Sequence, residues 1–153
     1  ESQFSMAGRE EGELAEIRLG LSNLPPNLAK HFSSQMLNLD QLGALSFDKG
    51  CYPGQEVIAR IQNLGNVKRR LFRFSGQLRK KPPIGSGLID STGIKVGEIV
   101  RAARADDQCV EFLAVVKTDA VYEHLVCSEE QSAQITKETL PTEVSLTTTK
   151  PRA

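Results

Sequence analysis

The sequence predicts an α+β protein: a mixed first half, then a small antiparallel β-barrel or sandwich. Three observations predict it. Helical periodicity is confined to the first half, where Val57, Ile61 and Leu64 follow at i, i+4 and i+7 with Ile58 beside them. Beyond Gly76, short apolar runs alternate with turn residues at the spacing of small all-β units. Hydrophobic residues at 39% and charged residues at 25% of 153 give the composition of a soluble globular protein.

The elements follow in order. Residues 14–21 read as a short helix, stopped by Ser22-Asn23-Leu24-Pro25-Pro26, where the double proline demands an extended connection. Leu37, Leu39 and the run from Leu42 to Phe47 read as a strand with irregular ends. A helix over 53–64 opens at Pro53, whose missing N–H suits a first turn, and stops at Gly65-Asn66. Phe72 and Phe74 share one face of the next strand. Then come loop signals at Lys80-Lys81-Pro82-Pro83 and Gly85-Ser86-Gly87, a strand at Leu88-Ile89, and a turn at Asp90-Ser91-Thr92-Gly93. A hairpin joins 95–103 to 109–117 through Ala105-Asp106-Asp107-Gln108, and 125–127 and 134–140 supply further strands. Residues 141–153, rich in Thr, read as a disordered tail.

Charge and cysteine usage narrow the function classes. Nineteen basic and nineteen acidic residues cancel, so no global field draws in nucleic acid or an anionic membrane, and neither is expected as a direct partner. No apolar run has the length of a membrane span. Three widely spaced cysteines, Cys51, Cys109 and Cys127, argue against a disulfide framework and for a reducing compartment. Cys109 and Cys127 lie in strand patterns and read as core residues. His31 and His124 stand outside any metal-ligand spacing, so no metal is expected. The Lys68-Arg69-Arg70 run reads first as a solvated face and second as a contact for phosphates or a polyglutamate tail.

The densest chemistry lies in Lys49-Gly50-Cys51-Tyr52-Pro53-Gly54-Gln55-Glu56. Cys51 falls just outside the expected helix start, where free N–H groups and the positive dipole end favour thiolate, and Lys49 adds a second positive influence. Cys51 is therefore a candidate reactive thiol. The alternative is a tight turn around a small buried cysteine, its glycines supplying positive φ. Glu56 and Arg60 form an i, i+4 pair that either supports the helix or holds the loop in shape.

This octapeptide resembles the signature of the YgfZ-type folate-binding proteins, which include iron–sulfur assembly factors and are relatives of the glycine-cleavage T protein, an aminomethyltransferase. The flanks Gln35-Met36-Leu37-Asn38-Leu39-Asp40, Val57-Ile58-Ala59-Arg60 and Gly65-Asn66-Val67-Lys68-Arg69-Arg70-Leu71 are similar too, and Val96-Gly97-Glu98-Ile99 and Leu113-Ala114-Val115-Val116 are similar to weaker barrel motifs. The resemblance implies an α/β folate-cleft remnant over residues 1–66, a C-terminal β-barrel of the aminomethyltransferase type over 67–140 with roughly six strands, and a tail over 141–153. It implies tetrahydrofolate as the cofactor, with Lys49, Gly50, Cys51, Tyr52, Gly54, Gln55, Glu56 and Arg60 around it, and Cys51 with its activator Lys49 as the candidate catalytic pair. It implies iron–sulfur proteins or their assembly factors as partners, iron–sulfur-dependent tRNA modification as the process served, and the bacterial cytoplasm, or alternatively the mitochondrial matrix, as the place. Members of this family are longer and carry an N-terminal region that forms much of the cleft. A chain starting at Glu1 is therefore expected to be the C-terminal half of a longer protein, needing the other half for tight folate binding. Two rival readings stay open: a folate-dependent one-carbon transferase, from which the signature cysteine departs, and a non-catalytic interaction barrel.

Overall fold

The computed structural model of the chain describes residues 2–42, 67–120 and 122–143, with side chains from residue 8 onward. Helix α1 (Ser2–Leu19) is longer than the expected 14–21 stretch and stops before the Ser22–Pro26 signal. Gly20 ends it, at φ 79°. The Gly20 N–H donates to Ile17 O at 3.0 Å and the Leu21 N–H to Glu16 O at 2.9 Å. This is a Schellman ending, closed by a residue with no Cβ penalty at positive φ. Pro25 is extended, as a residue before proline must be, and Pro26 opens the single-turn helix α2 (Pro26–Ala29).

The strand expected from Leu37 onward is not one where the structure describes it. Residues 34–42 are consecutive turns. Leu39 N–H donates to Ser34 O and Leu42 N–H to Asn38 O, and Asn38 sits at φ 60°. Asparagine tolerates that left-handed conformation, and each turn it permits removes a donor that a strand ladder would need. The expected strand residues 43–47 and helix 53–64 lie outside the described residues.

The second half forms one mixed-length antiparallel sheet of six strands: β1 (Arg69–Gln77), β2 (Gly87–Ile89), β3 (Lys95–Arg104), β4 (Cys109–Lys117), β5 (Val126–Cys127) and β6 (Ile135–Glu138). The order is β5-β2-β3-β4-β1-β6. The edge strands β5 and β6 deliver Cys127 and Ile135 to the same core as Phe74 and Phe112. The sheet therefore curls around that core as an open half-barrel. Bulges between Leu88 and Ile89 and between Ile99 and Arg101 supply local bending. The expected turns are present and are made by their aspartates: Asp90 Oδ1 accepts from the N–H groups of Thr92 and Ile94, and Asp106 Oδ1 from those of Gln108 and Cys109.

Two cores result. Phe74 and Phe112 stack at 5.6 Å between ring centroids inside the curl, among Leu88, Ile99, Val116 and Leu125. On the outer face, Leu71, Val100, Leu113 and Val115 pack against Ile17 of α1, Leu37 of the turn segment and Leu140. β4 is buried on both faces, which is why its sequence reads as a nearly continuous apolar run. The mixed α+β class holds.

Candidate functional site

The signature residues Lys49, Gly50, Cys51, Tyr52, Pro53, Gly54, Gln55, Glu56 and Arg60 lie outside the described residues. What is described is the frame on which residues 43–66 begin and end.

That frame is a clamp between the turn segment before the signature and the start of β1 after it. Arg70 grips Asp40 with both arms of its guanidinium, Nη1 to Oδ1 at 2.8 Å and Nη2 to Oδ2 at 3.0 Å. The same Nη1 donates to the carbonyl of Gln35 at 3.2 Å. Asn38 Nδ2 donates to the carbonyl of Leu71 at 2.8 Å. Both members of the ion pair are mostly shielded from water, at 21% and 18% side-chain exposure. A two-armed, shielded arginine–carboxylate pair is fixed in direction as well as distance. It holds residues 40 and 70, which lie on either side of residues 43–66 in the sequence, next to each other. Leu37, Met36 and Leu39 press the same segment onto the outer core. Asn38 Oδ1 is buried and, among the described residues, accepts no hydrogen bond.

Sequence reasoning placed Asn38 and Asp40 only in a flanking motif and gave them no role. Their partners lie 33 and 30 residues away, and no local pattern marks such a pairing. The basic run, expected to act as one face, divides. Arg70 is committed to Asp40, while Lys68 and Arg69 are exposed.

The other expected residues are placed plainly. Cys127 is buried and Cys109 half-buried. Burial pushes both thiols above the usual range, with Asp106 and Glu111 adding to the effect on Cys109. Neither is primed as a nucleophile. His31 and His124 are exposed. Among the described residues no group of three His, Cys, Asp or Glu side chains gathers as a metal site would require, and no helix is long and apolar enough to cross a membrane.

Known proteins agree with the family resemblance. No family model matches the chain. A tRNA-modifying protein YgfZ from Colwellia psychrerythraea is 36% identical over 132 residues, 84% of this chain and 40% of that protein. The YgfZ of Aliivibrio fischeri is 36% identical over 77% of this chain and 38% of its own length. The YgfZ of Pectobacterium carotovorum is 32% identical over 85% of this chain and 40% of its length. The chain thus spans about two-fifths of the curated relatives it matches. Among solved structures, the glycine cleavage system aminomethyltransferase T from Bartonella henselae aligns with 58% of this chain and 26% of its own, at 17% identity and a TM-score of 0.46. That likeness is too partial to add to the sheet topology. Sequence similarity over most of its length shows that this chain belongs to the YgfZ family.

Proposed function

We propose that the chain is part of a folate-binding accessory protein that supports iron–sulfur cluster assembly or repair and, through iron–sulfur enzymes, tRNA modification. The observation that carries this reading is the Lys49-Gly50-Cys51-Tyr52-Pro53-Gly54-Gln55-Glu56 signature in a chain similar to curated tRNA-modifying proteins YgfZ. Its partners are iron–sulfur proteins or assembly factors rather than nucleic acid, and its place is the bacterial cytoplasm.

Tetrahydrofolate is the ligand of this reading, contributing a one-carbon carrier beside the thiol. The described residues bordering the signature fit it in one respect. Asn38 Oδ1 is a buried acceptor without a donor among the described residues, and a reduced pterin is rich in N–H donors. Arg70 is not available to the ligand's carboxylates, because Asp40 holds it. Lys49, Gly50, Cys51, Tyr52, Gly54, Gln55, Glu56 and Arg60 are the residues proposed to line the rest. In this scheme Lys49 lowers the Cys51 thiol pKa, Gly50 and Gly54 let the backbone turn, and Gln55 and Glu56 hold the loop. The Asp40–Arg70 clamp supports the loop's two ends.

The test uses the thiol. A helix end and a neighbouring cation each contribute roughly 0.3–1 kcal/mol, so together they lower the Cys51 pKa by up to about one unit. Cys51 should alkylate faster at neutral pH than Cys109 or Cys127, and Lys49→Ala should slow it. In cells, Cys51→Ser in the full-length protein should abolish support of iron–sulfur enzymes while leaving the fold intact. Wild-type behaviour of Cys51→Ser cells would reduce the loop to a structural turn.

A further inference from the structure

We propose that Lys68, Arg69 and Lys117 form a binding site for a small multiply charged anion, one that presents phosphate or carboxylate oxygens to two cations at once. None of its residues is among those proposed to line the folate, and a polyglutamate tail, the second reading of the Lys68-Arg69-Arg70 run, is one carboxylate source that the test separates from phosphate.

Three observations carry it. Arg69 and Lys117 are direct cross-strand partners on β1 and β4. Like charges placed opposite each other repel, and a sheet normally sets a carboxylate or a neutral residue against a cation. Second, among the described residues neither of them, nor Lys68, makes an ion pair, while the adjacent Arg70 is fully engaged by Asp40. Among the described residues no ion pair offsets that repulsion. Third, the three cations line a single depression of about 560 Å³ together with Val67, Thr118 and Asp119.

The walls of that depression are fixed. The Thr118 N–H donates to Lys68 O at 3.0 Å, and the Thr118 hydroxyl donates to Val67 O at 3.3 Å. The end of β4 is thereby tied to the approach of β1, so the backbone that carries the three cations is held in place before any ligand arrives. Such preorganisation lowers the ordering cost of binding. Two carboxylates bear on the site. Asp119 lines it, and one carboxylate cannot balance three cations. Asp90 feels Lys117 only as the last of the influences on it, behind the Thr92 hydroxyl and the Ile94 N–H, and its Oδ1 is taken up in its own turn. A single chloride would meet one cation well. An oligoanion meets Arg69 and Lys117 together and removes their mutual repulsion, which makes the site selective for multiple charge.

The experiment is calorimetric titration of the whole chain at low ionic strength, with inorganic tripolyphosphate and tri-glutamate as separate probes and a short single-stranded RNA as a third. Saturable one-to-one binding of either small anion is expected, and the tighter of the two identifies phosphate or carboxylate as the natural group. Arg69→Gln combined with Lys117→Gln should weaken binding about tenfold or more, and Asp119→Asn should tighten it. Tripolyphosphate should raise the melting temperature of the wild type and leave that of the double variant unchanged. Lys68→Gln, outside the strand, repeats the affinity test if the double variant fails to fold. The proposal is overturned if neither small anion saturates, if the variants bind as the wild type does, or if only the RNA binds.

Discussion

Glu111 is buried near the start of β4, on the outer face of the sheet. A lone carboxylate there would be costly, and two arginines make it tolerable. Arg18 of α1 approaches with Nη2 2.6 Å from Oε1 and Nε 3.2 Å from Oε2. Arg73 of β1 donates from Nη1 to Oε2 at 3.4 Å and also lies 3.9 Å from Glu138, which itself accepts from the Ser75 hydroxyl. The carboxylate in return holds the Arg18 guanidinium above its ordinary pKa, chiefly through the hydrogen bond. Arg73 Nε is already buried without an acceptor. Glu111→Ala would leave Arg73 with Glu138 alone and Arg18 with water, so it should lower unfolding stability by about 1–3 kcal/mol, less than breaking a fully buried pair costs because half of Arg18 is exposed. Urea denaturation measures it, and a loss well below 1 kcal/mol would show that the arginines find other partners.

At the scale of elements, Gly97 of β3 leaves no room for a side chain against β4. A Cβ there would stand 2.8 Å from Val116 Cγ2 and 3.0 Å from the carbonyl of Val115. Neither neighbour can swing aside, because both belong to the buried central strand. Gly97→Ala should therefore cost about 1–3 kcal/mol through strand separation. Gly87→Ala is the control: its Cβ would meet only the flexible Lys95 side chain at 3.4 Å, and the melting temperature should barely move. The hairpins around Asp90 and Asp106 were legible in the sequence because an aspartate closes its own turn within a few residues. Gly97 was visible as part of a motif, but its reason lies across the sheet on Val116. The helix end was misjudged because Gly20 is a weaker signal than two prolines, although it acts first. The turns over 34–42 were hidden by an apolar pattern that suits a strand as well as it suits a turn segment pressed onto a core. The same limit applies to the candidate site. Its signature could be read from eight adjacent residues, whereas the Asp40–Arg70 clamp that frames it could not.

Across the whole molecule, α1 is locked to the outer face of the sheet by two ion pairs flanking the buried Ile17. Arg18 reaches Glu111, and Glu16 receives the Arg101 guanidinium while Arg101 also donates to the carbonyl of Leu21 at 3.0 Å. Leu140, following β6, packs on Gly20 at the end of the same helix. The helix and the sheet therefore share one core, and the described parts should unfold in a single transition. Glu16 contributes to its acid sensitivity. The hydrogen bond from Arg101 and then its charge hold the carboxyl below its ordinary 4.5; desolvation opposes them, and the hydrogen bond from Asn23 adds the smallest lowering effect. A carboxyl depressed in the folded state contributes stability that is fully present above its unfolded pKa and is lost as pH falls through the folded one. Glu16→Gln should therefore melt at a lower temperature than the wild type at pH 7, and the gap should close as the pH falls below about 4.5 and through the lowered pKa of the folded state, where the wild-type carboxyl is protonated as well. Calorimetric scans of both proteins across that range decide it. A gap that stays constant as the pH falls would mean that the Arg101 contact contributes through shape alone, and that other groups set the acid sensitivity of α1.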